Sequence, residues 1–96
     1  MNLGNTIKDI RKHKGYTQGD FALECGITQT YLSQIENNQK EPNLSVLKKI
    51  AEKLIVPLPI LFFLSITEED VQPEKKEIFN AISPTVKNII NEIFTV

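Results

Sequence analysis

The sequence has little of what marks secreted, metal-binding or membrane proteins. Its single cysteine, Cys25, excludes an internal disulfide. Its single histidine, His13, lies far from that cysteine, so the pair provides no metal-ligand set. The longest apolar run, residues 55–66, contains two prolines and is shorter than the roughly 20 residues needed to cross a bilayer. The N-terminal residues show no signal-peptide pattern. We therefore expect a soluble, cytoplasmic protein that binds neither metal nor membrane.

Features that enzymes need are also missing. No nucleophile–base pair, glycine-rich phosphate loop or pair of carboxylates stands out, so we expect neither catalysis nor a cofactor. Four glycines and five prolines in 96 residues are too few for a low-complexity chain. A hydrophobic content of 41% suffices for one compact domain, or for a smaller domain with an appendage.

Neither charge sign dominates, because the net charge is −1, but the two parts of the chain differ. Residues 1–55 carry eight Lys/Arg and six Asp/Glu, which gives +2. Residues 56–96 carry three Lys and six acids, which gives −3. This split fits a mildly basic working part followed by an acidic tail. It argues against a protein that coats nucleic acid without sequence preference.

Apolar residues recur at helical spacing along most of the chain, and no convincing strand alternation is present. Caps and turn residues divide the pattern into segments, and the predicted N-caps of the second, third and fourth helices are Thr17, Thr28 and either Asn43 or Ser45. The predicted first helix is capped by Asn5-Thr6 and ended by Gly15. The later predicted helices cover about 18–24, 29–36, 44–54, 58–65, 73–81 and 84–94, the last opening at Ser83-Pro84.

The stretch 17–36 predicts two short helices separated by a turn at Cys25-Gly26-Ile27. The second of these helices has Leu32 and Ile35 on one face. A helix with an apolar back and an amide-and-hydroxyl front, set across a tight turn, suits the reading of base edges in a DNA groove. Taken alone, the same front fits an ordinary solvated helix face equally well. The side chains of this front are Gln29, Thr30, Ser33 and Gln34.

Residues 6–62 resemble the helix-turn-helix family of phage repressor and Cro-like proteins, known as the XRE family. The matching residues are Ile7, Ile10-Arg11, Thr17-Gln18, Ala22, Gly26-Ile27-Thr28, Tyr31 to Asn37, Pro42-Asn43, Leu47, Leu54 and Leu61-Phe62. The resemblance implies an all-α fold: a five-helix lambda-repressor-like DNA-binding domain with one or two extra C-terminal helices. We expect the DNA-binding domain in residues 1–66 and a C-terminal extension in residues 67–96.

The resemblance also implies roles for matching positions. Base contacts would come from Gln29, Thr30, Ser33 and Gln34. Contacts to the DNA backbone would come from Thr17, Gln18, Tyr31, Asn37, Asn38 and Lys40. Arg11 and Glu36 would form a structural ion pair between the first and third helices. Because Arg and Lys, the usual guanine readers, are missing from the third helix, an A·T-leaning site is expected.

Some positions depart from the family pattern. Ile55 stands where members commonly have glycine after the fourth helix. Pro57 and Pro59 replace the usual polar cap of the fifth helix. Gly19 replaces an acidic residue, and neutral substitution is the simpler interpretation, although a small residue would also permit a close approach. Cys25 is interpreted as a small buried hydrophobe rather than a redox switch.

The tail carries more apolar residues than a five-helix domain needs. They can fold back over the fifth helix of the same chain, or meet the same surface on a second chain. We favour a homodimer built by the C-terminal helices, since two copies of a small reading module match a palindromic site. The predicted dimerisation residues are Ile78, Phe79, Ile82, Val86, Ile89, Ile90, Ile93 and Phe94.

The leading hypothesis is a sequence-specific transcriptional regulator, in the first place a repressor. It would bind a palindromic operator in double-stranded DNA as a homodimer, with helix 28–36 in the major groove. The alternative is an antitoxin that binds a toxin protein and represses its own operon. A restriction–modification controller protein, which also binds DNA, is a variant of the DNA-binding hypothesis.

Overall fold

The computed structural model describes residues 1–95, and this part of the chain contains helices and no strands, as the periodicity predicts. Two 3₁₀ turns, Glu68–Asp70 and Pro73–Lys75, precede the last helix. The α-helices are α1 (Leu3–His13), α2 (Gln18–Glu24), α3 (Gln29–Glu36), α4 (Leu44–Leu54), α5 (Leu58–Leu64) and α6 (Lys76–Phe94). None of them is long and apolar enough to span a membrane.

Side-chain caps start α2 and α3 where the sequence predicts them, and α4 starts at the first of its two predicted caps. In each case the side-chain oxygen of the cap accepts a hydrogen bond from a backbone N–H three residues later, at 2.9–3.1 Å. Such a cap contributes about 1 kcal/mol. The capping residues are Thr17, Thr28 and Asn43.

The predicted start of α1 at Asn5-Thr6 is wrong. The cap is Asn2, whose Oδ1 accepts the N–H of Asn5 at 3.1 Å. The helix can begin earlier because its first turn, Leu3 and Gly4, packs into the protein rather than lying in solvent. This tertiary contact outweighs the local capping signal at Thr6.

The core lies among α1–α5. α3 contacts both α1 and α2, and α5 contacts α1 and α4. The two helices that flank the α2–α3 turn are therefore both anchored in this core. The largest fully buried apolar side chains are Ile7, Phe21, Leu32, Ile35, Ile50, Leu54 and Leu61.

Ile55 ends α4 in the left-handed conformation, with φ 59° and ψ 43°. This is the position at which the resembling family commonly has glycine, and the conformation explains why. A β-branched residue is strained there because its Cβ crowds the backbone. The side chain is 76% exposed, so little packing offsets the strain.

Replacing Ile55 with glycine is expected to raise the free energy of unfolding by about 1 kcal/mol, since glycine adopts positive φ without strain. Chemical denaturation of the two proteins measures the difference. Ile55→Ala is the matched control: it removes the same exposed side chain but keeps Cβ, so it should gain much less. A loss of stability in Ile55→Gly would show that the side chain contributes more than its conformation costs.

The predicted break at Ser83-Pro84 is also wrong, because α6 runs without interruption from Lys76 to Phe94 with Pro84 inside it. Proline removes one N–H bond to the carbonyl four residues earlier, that of Asn80. Both residues are exposed, so water can satisfy this carbonyl. Continuity keeps the apolar residues before and after Pro84 on one side of the helix. The predicted extension reaches residue 96, and Val96 itself lies outside the described residues.

Candidate nucleic-acid interface

α2 and α3 are joined by a tight turn in which Gly26 has φ +69°, a conformation that favours glycine. Cys25 precedes it and is buried. Burial raises the pKa of the Cys25 thiol to about 11, so the thiol stays protonated near neutral pH. A buried, protonated thiol fits the interpretation of Cys25 as a small core residue.

The front of α3 is polar and reachable from solvent. Gln29 and Thr30 are exposed, and Ser33 and Gln34 are half-buried. Leu32 and Ile35 on the other side are fully buried in the core. The apolar back therefore fixes the helix to the domain while the four polar side chains remain together on one surface.

α3 is attached to α1 by a buried ion pair. Arg11 Nε donates to Glu36 Oε2 at 2.7 Å, and Arg11 Nη2 donates to Glu36 Oε1 at 3.0 Å. Arg11 also donates to the carbonyl oxygen of Tyr16 at 2.8 Å. Both charged side chains are almost completely buried. A bidentate salt bridge of this kind holds the end of α3 in one orientation.

Hydrogen bonds continue from the ion pair to the front of α3. Gln18 Nε2 donates to Glu36 Oε1 at 3.1 Å, and Gln29 Nε2 donates to Gln18 Oε1 at 3.4 Å. Gln29 thus connects to the buried carboxylate through the first residue of α2. The sequence pattern indicates each glutamine separately but not this link, which arises only from the packing of α2 on α3.

Gly19 lies under the Gln29 side chain. A Cβ added at Gly19 would be 3.3 Å from Gln29 Oε1. The close approach that the sequence left as the less simple interpretation is therefore present. The signal available in the sequence was the glycine itself, a poor helix former in the first turn of the predicted second helix.

The segment after α3 is exposed through Asn37, Asn38 and Lys40. Asn38 adopts positive φ, and its amide bonds within the protein: Oδ1 accepts from the Gly4 N–H at 3.0 Å, and Nδ2 donates to Asn2 Oδ1 at 2.7 Å. Asn38 therefore ties the end of α3 to the start of α1. Lys40 is an exposed positive charge beside this junction.

The remaining predicted positions differ in their surroundings. Thr17 is exposed and caps α2, whereas Tyr31 is half-buried against the core.

The predicted dimerisation residues divide into two sets on α6. One set faces the body of the protein and is half-buried: Phe79, Val86, Ile90 and Phe94. The other is exposed: Ile78, Ile82, Ile89 and Ile93. Within residues 1–95, no cluster of His, Cys, Asp and Glu could hold a metal ion.

A protein-family model described as "Helix-turn-helix" matches residues 7–61, which include α2, α3 and their turn. The transcriptional regulator SinR of Bacillus subtilis is 38% identical over 60 residues, covering 62% of this chain and 54% of SinR. The regulator YqaF of the same organism is 39% identical over 70 residues, covering 73% of this chain and 84% of YqaF.

The antitoxin HipB of Escherichia coli is 28% identical over 75 residues, covering 78% of this chain and 85% of HipB. The chain spans about half the length of SinR. No solved structure shows significant similarity to the present chain.

Proposed function

The chain belongs to the XRE-type helix-turn-helix family of DNA-binding transcriptional regulators, and from this membership we propose that it is a sequence-specific repressor. In this proposal it binds a palindromic operator as a homodimer. Residues 1–66 bind DNA and residues 67–96 carry dimerisation. Two copies of α3, one on each half-site, enter adjacent major grooves on one side of the duplex.

The observation that carries this proposal is the polar front of α3, which is held in place from behind. Its back is buried, its last residue is fixed by Arg11, and its first residue is connected to the same ion pair through Gln18. A rigid helix that presents donors and acceptors on one face is what base-edge readout requires. An ordinary solvated face needs no such support.

The proposed base contacts are Gln29, Thr30, Ser33 and Gln34. A glutamine amide can both donate to and accept from adenine in the major groove, and the Thr30 methyl group can contact the thymine methyl. Since α3 contains no Lys or Arg, phosphate affinity must come from its surroundings. Proposed phosphate and sugar contacts are Thr17, Gln18, Tyr31, Asn37, Asn38 and Lys40.

Replacing Gln29 with alanine is expected to reduce operator affinity by about 1–3 kcal/mol per half-site and to relax the preference at one base pair. The reason is that alanine can make neither hydrogen bond to the base edge. Fluorescence anisotropy against the operator and its single-base variants measures both effects. Unchanged affinity and unchanged base preference would contradict the role given to α3.

Lys40→Ala is the matched comparison, because it should weaken binding to all sequences alike. Loss of one phosphate contact per protomer reduces the slope of log affinity against log salt by about 0.9 for each protomer. Gln29→Ala should leave that slope unchanged. If Lys40→Ala instead altered base preference, the division between reading and backbone-binding residues would be wrong.

The second candidate is an antitoxin that binds a partner protein and represses its own operon. The similarity to HipB over most of both chains favours it, as do the exposed isoleucines of α6, which could cover a partner surface. Co-purification of a small protein encoded beside this gene, together with neutralisation of that protein's toxicity, would support this candidate. Full operator binding without such a partner supports the repressor.

A further inference from the structure

The exposed side of α6 is apolar. Ile78, Ile82, Ile89 and Ile93 are between 50% and 65% exposed. Their spacings of four, seven and four residues place them on one line along the helix. We call these four residues the outer stripe. An uncovered row of large aliphatic side chains on a small domain marks an interaction surface.

The outer stripe is symmetric along the sequence. Its midpoint falls between Thr85 and Val86, so that Ile78 and Ile93 are equidistant from it, as are Ile82 and Ile89. A second α6 laid antiparallel across this midpoint would place each isoleucine opposite another. A twofold axis repeats every contact between two residues, and this spacing lets each repeated contact join two isoleucines.

A groove adjoins the N-terminal end of the outer stripe. It has a volume of about 390 Å³ and lies between the N-terminal half of α6 and residues of α5 and the following segment. Its apolar lining includes Phe63, Val71, Phe79, Ile78 and Ile82. At the other end of α6, Ile89 and Ile93 project into solvent. Each protomer thus presents both the groove beside Ile78 and Ile82 and the exposed side chains of Ile89 and Ile93.

The body of the protein holds this arrangement in place. Lys87 Nζ donates to the Ile66 carbonyl oxygen at 2.7 Å, and Asn80 Nδ2 donates to Glu68 Oε2 at 2.7 Å. α6 is therefore attached to the segment after α5 on its inner side, and the outer stripe keeps a fixed direction. The four isoleucines expose on the order of 400 Å² per protomer, about half of the roughly 800 Å² per partner in a standard interface.

We propose that α6 pairs antiparallel with α6 of a second copy of this chain, with the twofold axis beside Thr85 and Val86. Ile89 and Ile93 of the partner subunit occupy the groove beside Ile78 and Ile82, and the reciprocal contacts form on the other side. The groove walls and the helix flanks supply the rest of the buried area. This pairing rests on the proposed homodimer and specifies its geometry.

Disulfide formation between subunits that each carry one introduced cysteine tests the direction of pairing. Antiparallel pairing brings residue 78 next to residue 93 of the partner subunit, whereas residues 78 of the two copies are about 22 Å apart. Ile78→Cys and Ile93→Cys should therefore each remain uncross-linked alone and form a covalent dimer when mixed and oxidised. The unaltered protein is the control, because Cys25 is buried. Self-cross-linking of Ile78→Cys alone would show parallel pairing and overturn the proposal.

A charge exchange tests the register. Ile82→Lys and Ile89→Glu, made separately, should each weaken dimerisation at least about 100-fold in sedimentation, since each buries an unpaired charge twice. The double variant should recover to within about tenfold, because the ammonium group introduced by Ile82→Lys then faces the carboxylate introduced by Ile89→Glu in the other subunit. Asn88→Glu, on an exposed flank of α6 about 100° around the helix from the outer stripe, should leave dimerisation unchanged. Circular dichroism verifies that every variant is folded.

The outcomes separate this pairing from DNA binding, which neither experiment uses. A dimer that survives both single charge changes, or a double variant that stays monomeric, contradicts the pairing while the repressor function stands. A dimer with the expected cross-link that binds no DNA contradicts the repressor function while the pairing stands. An outer stripe covered only by another protein, with the chain monomeric by itself, also overturns the pairing and favours the antitoxin candidate.

Discussion

Replacing Glu36 with glutamine is expected to lower the free energy of unfolding by about 3–5 kcal/mol. The change keeps the size of the side chain but removes the charge that Arg11 faces at 2.7 Å. Arg11 would then be a buried guanidinium without a counter-ion, which is much costlier than an exposed one. A domain of this size has a total stability of only about 5–15 kcal/mol, so chemical denaturation should show a large shift of the midpoint.

The double variant Arg11→Met, Glu36→Leu separates the energetic role of the pair from its positioning role. Apolar replacement of a buried ion pair is often neutral or stabilising, so this variant should be far more stable than Glu36→Gln. It nevertheless removes the acceptor of Gln18 and the fixed orientation of the end of α3. We therefore expect weakened operator binding in a stable protein. Full operator affinity in the double variant would show that the pair does not position α3.

Replacing Gly4 with alanine is expected to cost about 3 kcal/mol of stability. A Cβ at Gly4 would overlap the carbonyl oxygen of Ile35 and lie 2.7 Å from that of Glu36. Both obstacles are backbone atoms at the end of α3, so α1 would have to move away from the helix that it supports. Thermal denaturation measures the loss, and the Gly4 N–H bond to Asn38 should weaken at the same time.

Gly19→Ala is the matched control for Gly4→Ala, since both are single methyl additions within a helix. The added methyl at Gly19 meets only the movable end of Gln29, at 3.3 Å. Alanine is also the better helix former by about 1 kcal/mol, so Gly19→Ala should be neutral or stabilising. Equal losses at the two positions would contradict the close approach of α1 to α3.

The local signals in the sequence predict much of the fold. Thr17, Thr28 and Asn43 cap helices where expected, because the chemistry of a cap involves residues only three apart. The apolar and polar faces of α3 follow equally from its periodicity. The resemblance marks Ile55 as a departure from the family's glycine, but its left-handed conformation is known only from the structure.

What the sequence does not predict depends on contacts between distant residues. The predicted break at Pro84 follows local propensity, but packing of both halves of α6 along the body keeps one helix. The early start of α1 depends on the fit of Gly4 against α3, and the link from Gln29 through Gln18 to Glu36 depends on the packing of α2. The exposure that singles out the outer stripe also requires knowledge of which face of α6 the body covers.

Selection of bound DNA from a random library by the full chain tests the central claim that α3 reads base edges. We predict an enriched, twofold-symmetric, A·T-leaning consensus whose half-sites are centred about one helical turn, or a multiple of it, apart. The same selection with Gln29→Ala should lose the preference at one symmetric pair of positions. Absence of any enriched sequence, or an identical consensus from Gln29→Ala, would contradict the claim.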